Sequence, residues 1–163
     1  MPLPSTMTPI ATQTLSANAT TVTFNNIPQT YTDLLIVVNM IGVGASNPGL
    51  RFNSDSGSNY SASAISGSGT AASSYRYTND TNMKFHNSGA NFDNVWNTFT
   101  GQVMNYSNNT TNKTVLARLS SNEVDAAVGL WRSTAAITSV SVITHTNNFG
   151  SGSTFTLYGV KAA

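Results

Sequence analysis

Polar and apolar residues alternate with period two along most of this chain. Val22 and Phe24 alternate with Thr21 and Thr23 until Asn25, Asn26 and Pro28 close the run. Leu34 to Met40 is almost continuously apolar and predicts a central strand covered on both faces. Each Leu, Ile or Val fully buried there contributes roughly 1.5–3 kcal/mol, so this segment anchors the expected core. Leu50 and Phe52 make a short strand before the turn-rich Asn53 to Asn59, and Tyr60 to Ile65 another before Ser66-Gly-Ser-Gly69. Tyr75 and Tyr77 share a face opposite Arg76 and Thr78, and Val95 to Met104 alternates at length. Further strands are expected around Val115 to Leu119, Val128 to Arg132, Ser139 to Ile143 and Thr154 to Val160. Nine or ten short strands separated by Gly, Asn and Ser turns predict an all-β fold, an antiparallel sandwich of jelly-roll type. The helix signal is confined to Ser120-Ser-Asn-Glu123, which has capping-box spacing but is followed by residues for one turn at most.

Pro2, Pro4 and Pro9 set the first nine residues apart, because proline blocks regular ladder pairing and favours an extended course. Residues 1–9 read either as a frayed terminus or as an arm that docks on a neighbouring subunit, with Leu3 and Met7 as its apolar contacts. Residues 10–163 then form one sandwich domain, with no repeat and no interior boundary.

Composition changes the picture in one respect. Only 8% of the 163 residues are charged, against about a quarter in ordinary domains, and Ser, Thr and Asn together supply roughly two residues in five. Such a surface is hydrated by neutral hydrogen bonds and sets up no long-range field. It suits packing beside many copies or a partner better than it suits a tuned active site. The net charge of +1, with seven scattered basic residues, argues against nucleic acid. The absence of cysteine excludes disulfides and thiolate metal sites. The longest apolar stretch is far short of the ~20 residues that span a bilayer, and the start of the chain lacks a signal-peptide pattern. Sequons such as Asn18-Ala-Thr20 are expected by chance in so Asn- and Thr-rich a chain.

Candidate chemistry is sparse. His86 and His145 are the two histidines, neither beside a nucleophile motif, and both read as surface or turn residues. The six acids are Asp33, Asp55, Asp80, Asp93, Glu123 and Asp125, most of them in turns, and no pair suits glycoside hydrolysis. Asn53-Ser-Asp55-Ser-Gly57 has part of an oxygen-ligand cation loop but lacks the closing acid, and reads as a plain turn. No cofactor is expected, and the chain is expected not to be an enzyme. Tyr75, Arg76 and Tyr77 form the one local cluster that offers a recognition surface; the alternative is a half-buried sheet face. Trp96 and Trp131 are expected in core or rim packing.

Three stretches carry a family resemblance. Phe24-Asn-Asn-Ile-Pro-Gln-Thr-Tyr-Thr-Asp-Leu-Leu-Ile-Val-Val38 resembles the opening of a family of virion proteins and tail-fibre modules of tailed bacteriophages, particularly those infecting cyanobacteria. Arg51-Phe-Asn-Ser-Asp-Ser-Gly-Ser-Asn-Tyr60 is similar to its second block. Ala126-Ala-Val-Gly-Leu-Trp-Arg-Ser133 and the ending Phe149 to Lys161 are similar to its third. The resemblance implies a β-sandwich located in the virion and carries no catalytic residues. With about ten residues before the first expected strand, it favours a capsid decoration (cement) protein over a fibre. Such a protein binds the major capsid protein or another virion protein in many copies, with trimers at quasi-threefold positions as one arrangement. The alternative is a receptor- or glycan-binding module of a tail fibre or spike, with Tyr75 and Tyr77 exposed beside a groove.

Overall fold

Alternating side chains commit most segments to one buried and one open face, while Pro48–Phe52 and Val140–Thr144 are buried on both, and the chain folds by stacking the buried faces. The computed structural model describes residues 6–44, 47–86, 93–120 and 123–161. Among these residues there are thirteen strands and no helix. They are β1 (Met7–Thr14), β2 (Thr21–Phe24), β3 (Asp33–Val43), β4 (Pro48–Phe52), β5 (Tyr60–Gly67), β6 (Ala72–Asp80), β7 (Met83–Lys84), β8 (Trp96–Val103), β9 (Lys113–Ser120), β10 (Val124–Trp131), β11 (Val140–Thr144), β12 (Asn148–Phe149) and β13 (Thr154–Val160). The larger sheet runs β1-β13-β3-β8-β9-β10-β5-β6, with β12 added on β3; the smaller runs β2-β11-β4-β7. All of these strand pairs are antiparallel, and the two sheets form the expected β-sandwich.

The core lies between the sheets. Leu34, Ile36, Val38 and Met40 from β3 and Phe99 and Val103 from β8 share it with Val22, Phe24, Leu50, Phe52, Val140 and Val142 from the smaller sheet. At one end Trp131 stacks on Tyr60 at 6.2 Å and meets Phe52 at 5.6 Å. The Tyr60 hydroxyl is buried here and accepts the Phe52 N–H at 3.0 Å; burial pushes its pKa up to about 12. Turns and one strand end, at Asn79 of β6, carry asparagines in the left-handed region. Asn26, Asn53, Asn79, Asn94, Asn105 and Asn147 all adopt positive φ, which Asn tolerates better than other residues bearing a β-carbon. Asn53 also holds the 133–139 loop, accepting from the N–H groups of Thr138 and Ser139 and donating to the Ala136 carbonyl.

Three details differ from the sequence reading. Met7 to Pro9 belong to a strand: β1 pairs with β13, Met7 opposite Val160, and Pro9 is tolerated because β1 is an edge with a register shift between Pro9 and Ala11. The line expected between residues 9 and 10 therefore falls inside β1, while Leu3 lies outside the described residues. The segment after the capping-box spacing is β10, because Val124, Ala126 and Val128 take the open face while Asp125 and Ala127 turn inward. Finally, β3 is buried on one face only, with Leu35 and Val37 half-exposed on the other.

Candidate functional site: a groove on the open face of the larger sheet

The outward faces of β5, β6, β8, β9 and β10 line a depression of about 930 Å³. Thr98 and Thr100 come from β8, Arg118 and Ser120 from β9, Val124 and Ala126 from β10, Ile65 from β5 and Ser74 from β6. A second depression of about 600 Å³ continues it, sharing Ile65, Ser74 and Ala126 and adding Ser63, Arg76, Leu116 and Val128.

Register builds this surface. Ala126 sits between Ile65 on β5 and Arg118 on β9, and Arg118 faces Thr100 on β8. One pleat along, Val128 sits between Ser63 and Leu116, and Ser63 faces Arg76 on the edge strand β6. The floor is aliphatic and open to solvent: Ile65 is 65% exposed, Val124 66%, Val128 53% and Leu116 52%. A contiguous exposed apolar strip rimmed by hydroxyls is the usual mark of a binding surface. Beyond Thr98 on the same face of β8, Trp96 is 53% exposed, but it pairs with Ile41 of β3, its ring tip lies near Gly152, and it lines neither depression.

Charge on this face is one-sided. Arg76 and Arg118 are exposed, and neither forms a hydrogen bond or ion pair among the described residues. The acid lining the groove, Asp125, is turned into the interior, where His86 Nδ1 lies 2.6 Å from one carboxylate oxygen and the Tyr75 hydroxyl donates to the other at 2.8 Å. Both the His86 and the Asp125 side chain are 1% exposed. Asp33, at the far end of β3, accepts from Gln102 and from the Asn105 N–H. Glu123 accepts from Ser66 at 2.5 Å.

The expected site residues divide between the two faces of β6. Arg76 reaches the groove. Tyr77 does not, and Tyr75, although it borders the second depression, has its ring half-buried on the inward side with that of Tyr77, the two 5.9 Å apart edge to face. The Tyr75 hydroxyl, which donates to Asp125, also lies 3.0 Å from the Phe85 carbonyl, Tyr77 donates to the His86 carbonyl, and Lys84 lies 5.2 Å over the Tyr77 ring. The exposed tyrosine pair required by the glycan alternative is thus replaced by a hydrogen-bonded packing layer. Met7 is 46% exposed at the start of β1, far along the sheet from the groove. Trp131 is core, as one of its two readings had it, while Trp96 is open.

The sequence reading passed over Arg118, Ala126, Val128, Leu116 and Ile65. Their signal was the outward half of each alternating strand, where apolar residues occupy positions that a solvated face would fill with polar ones. His86 is buried and paired, contrary to its surface reading. The His145 ring Nε2 is buried too. Burial, then the Lys84 ammonium, lowers the His145 pKa to about 4 against a weaker opposing pull from Asp80. The Asp55 loop is a side-chain lock: its two oxygens accept from the Gly57 N–H, the Asn59 amide and the Trp131 indole N–H. Burial raises its pKa, but those bonds outweigh burial and the net shift is downward.

No family model and no curated protein matches the chain. Solved structures similar to it include alginate lyase Aly36B in complex with an alginate tetrasaccharide, at 9% identity over 91% of this chain and 77% of that one, TM-score 0.37. An alginate lyase from Aplysia kurodai is similar at 10% identity over 82% and 70%, TM-score 0.32. The tail fibre protein gp63.1 of an E. coli phage is similar at 11% identity over 86% of this chain and 16% of that one, TM-score 0.32. The presence of lyases among these corrects the expectation that the chain is not an enzyme: folds of this outline include enzymes, so the exclusion is withdrawn. Likenesses this distant carry no argument for an activity. They lend nothing to a capsid decoration role.

Proposed function

We propose that this chain is a carbohydrate-binding β-sandwich of a tailed-phage virion, which takes a glycan chain along the groove of its larger sheet. The observation that carries the reading is the groove itself, an exposed aliphatic floor bordered by Ser63, Ser74, Thr98, Thr100 and Ser120. Sugar rings present an apolar C–H face and a hydroxyl edge, and this surface offers a counterpart to each. A virion setting rests on the sequence resemblance; many copies would give useful avidity from weak single sites.

Ala126 tests the site because it is exposed and borders both depressions. Glycan-array binding of the intact protein should be seen for one or more host-surface glycans and be lost in Ala126→Trp, whose indole fills the groove without entering the core. No glycan bound, or binding unchanged in Ala126→Trp, would overturn the reading. Measuring reducing-end release in the same samples reads whether binding is accompanied by cleavage.

Attachment to a major capsid protein is the second reading, favoured by β1, an edge strand whose outer backbone groups face no further strand among the described residues. Immunogold labelling of particles separates the two: label over the head supports attachment to the shell, and label at the tail supports glycan capture.

A further inference from the structure

We infer that the groove selects an anionic polysaccharide, with Arg118 and Arg76 reading its carboxylates. This rests on the groove being a carbohydrate site and adds the substrate's charge and the residues that recognise it.

The inference follows from placement. Arg118 stands on β9 and Arg76 on β6, with β10 and β5 between them; Arg118 is level with Ser74, so the two backbones are three strand spacings across and two residues along, about 16 Å apart. Between them lie Ile65, Ala126 and Val128, which carry no charge. The two guanidinium groups therefore bracket an apolar floor; Asp125, the acid among the lining residues, is held inward by His86 and Tyr75, and Glu123, next to Val124, accepts from Ser66. In a chain with only seven basic residues, two of them unpaired on one hydroxyl-lined face form a local feature. Arginine offers a planar fork that matches a carboxylate in two hydrogen bonds, and an aliphatic surface beside it accommodates the ring of the same sugar. A neutral glycan would leave both guanidinium groups without a counter-charge. A uronate chain engages both and lays its rings along the floor.

The experiment is calorimetric titration of the intact protein with polygalacturonate and with alginate oligomers, each compared with its carboxyl-reduced, neutral form. The expected result is binding of the acidic oligomers only, weakened by salt and reduced about tenfold or more in Arg118→Gln, with Arg76→Gln additive. Circular dichroism confirms that both variants fold, since both side chains are exposed. Equal binding of the carboxyl-reduced forms, abolished by Ala126→Trp, overturns the charge inference and leaves the carbohydrate site standing. Binding unaffected by Ala126→Trp overturns both. Poly-glutamate binding as tightly as the oligo-uronates shows that charge alone is recognised and overturns the assignment to a sugar. Sedimentation showing a dimer that Ala126→Trp disperses assigns the groove to a second copy and overturns it likewise.

Discussion

Trp131 donates its indole N–H to Asp55 Oδ2 at 2.7 Å, tying the last position of β10 to the turn after β4. The bond joins the two sheets' ends through a charged acceptor, while the same indole stacks on Tyr60. Trp131→Phe should keep most of the stacking and lose the bond, costing about 1–3 kcal/mol in urea unfolding. Because the folded Asp55 carboxyl titrates below its ordinary 3.8, its contribution is complete above that pH and is lost as pH falls through the lower folded value. Trp131→Phe should flatten this acid limb. An unchanged limb means that Asn59 and Gly57 alone hold the carboxylate.

His145 should act in a different pH window. It is protonated below about 6.5 when unfolded but only below about 4 when folded, so the unfolded chain binds the extra proton between those values. Stability should therefore fall as pH drops from 6.5 towards 4. In His145→Gln, urea midpoints across the same window should decline less steeply. Parallel decline in the two proteins would remove His145 as the cause.

Gly159 lies directly under the Tyr31 ring, and a β-carbon added there would collide with the ring carbons. Gly159→Ala should destabilise by about 1–3 kcal/mol, the range for overpacking. If the ring is what collides, Tyr31→Ala should recover part of that loss in the double variant. Additive losses in thermal melts would place the strain elsewhere.

Tyr75→Phe separates packing from recognition. Removing the hydroxyl leaves the buried Asp125 with one fewer donor and should lower stability by about 1–3 kcal/mol. Glycan binding per folded molecule should not change, because the hydroxyl that is removed is held inside by Asp125 and the Phe85 carbonyl. A selective loss of binding would return Tyr75 to the site.

The sandwich was legible because the core positions announce themselves. Leu34, Ile36, Phe99, Val115 and Leu157 recur at period two, and the asparagines mark the turns they close. The groove was not legible, because its floor is made of residues that look like ordinary strand apolars. Nothing in the pattern distinguishes outward Val128 from inward Ala127; the pairing of β10 with β5 and β9 does. The tyrosines misled for the same reason, since alternation shows that Tyr75 and Arg76 oppose each other without saying which faces the core. β10 was misjudged at its start because Asp125 breaks the apolar rhythm, and a buried acid needs partners 39 and 50 residues away to be tolerated.

β13 lies between β1 and β3, pairing Leu157 with Ala11 on one side and with Ile36 on the other. The ribosome makes β1 long before β13, so β1 has no neighbour in its sheet until β13 arrives, and one edge of β3 waits for the same event. Closing so long a stretch of chain before its contacts reward it is slow, and the uncovered edge of β3 is open to other chains meanwhile. Completion of the larger sheet thus depends on a strand that emerges after the rest of the sandwich. Conditions that delay the emergence of β13 should raise aggregation, even where the finished molecule is stable.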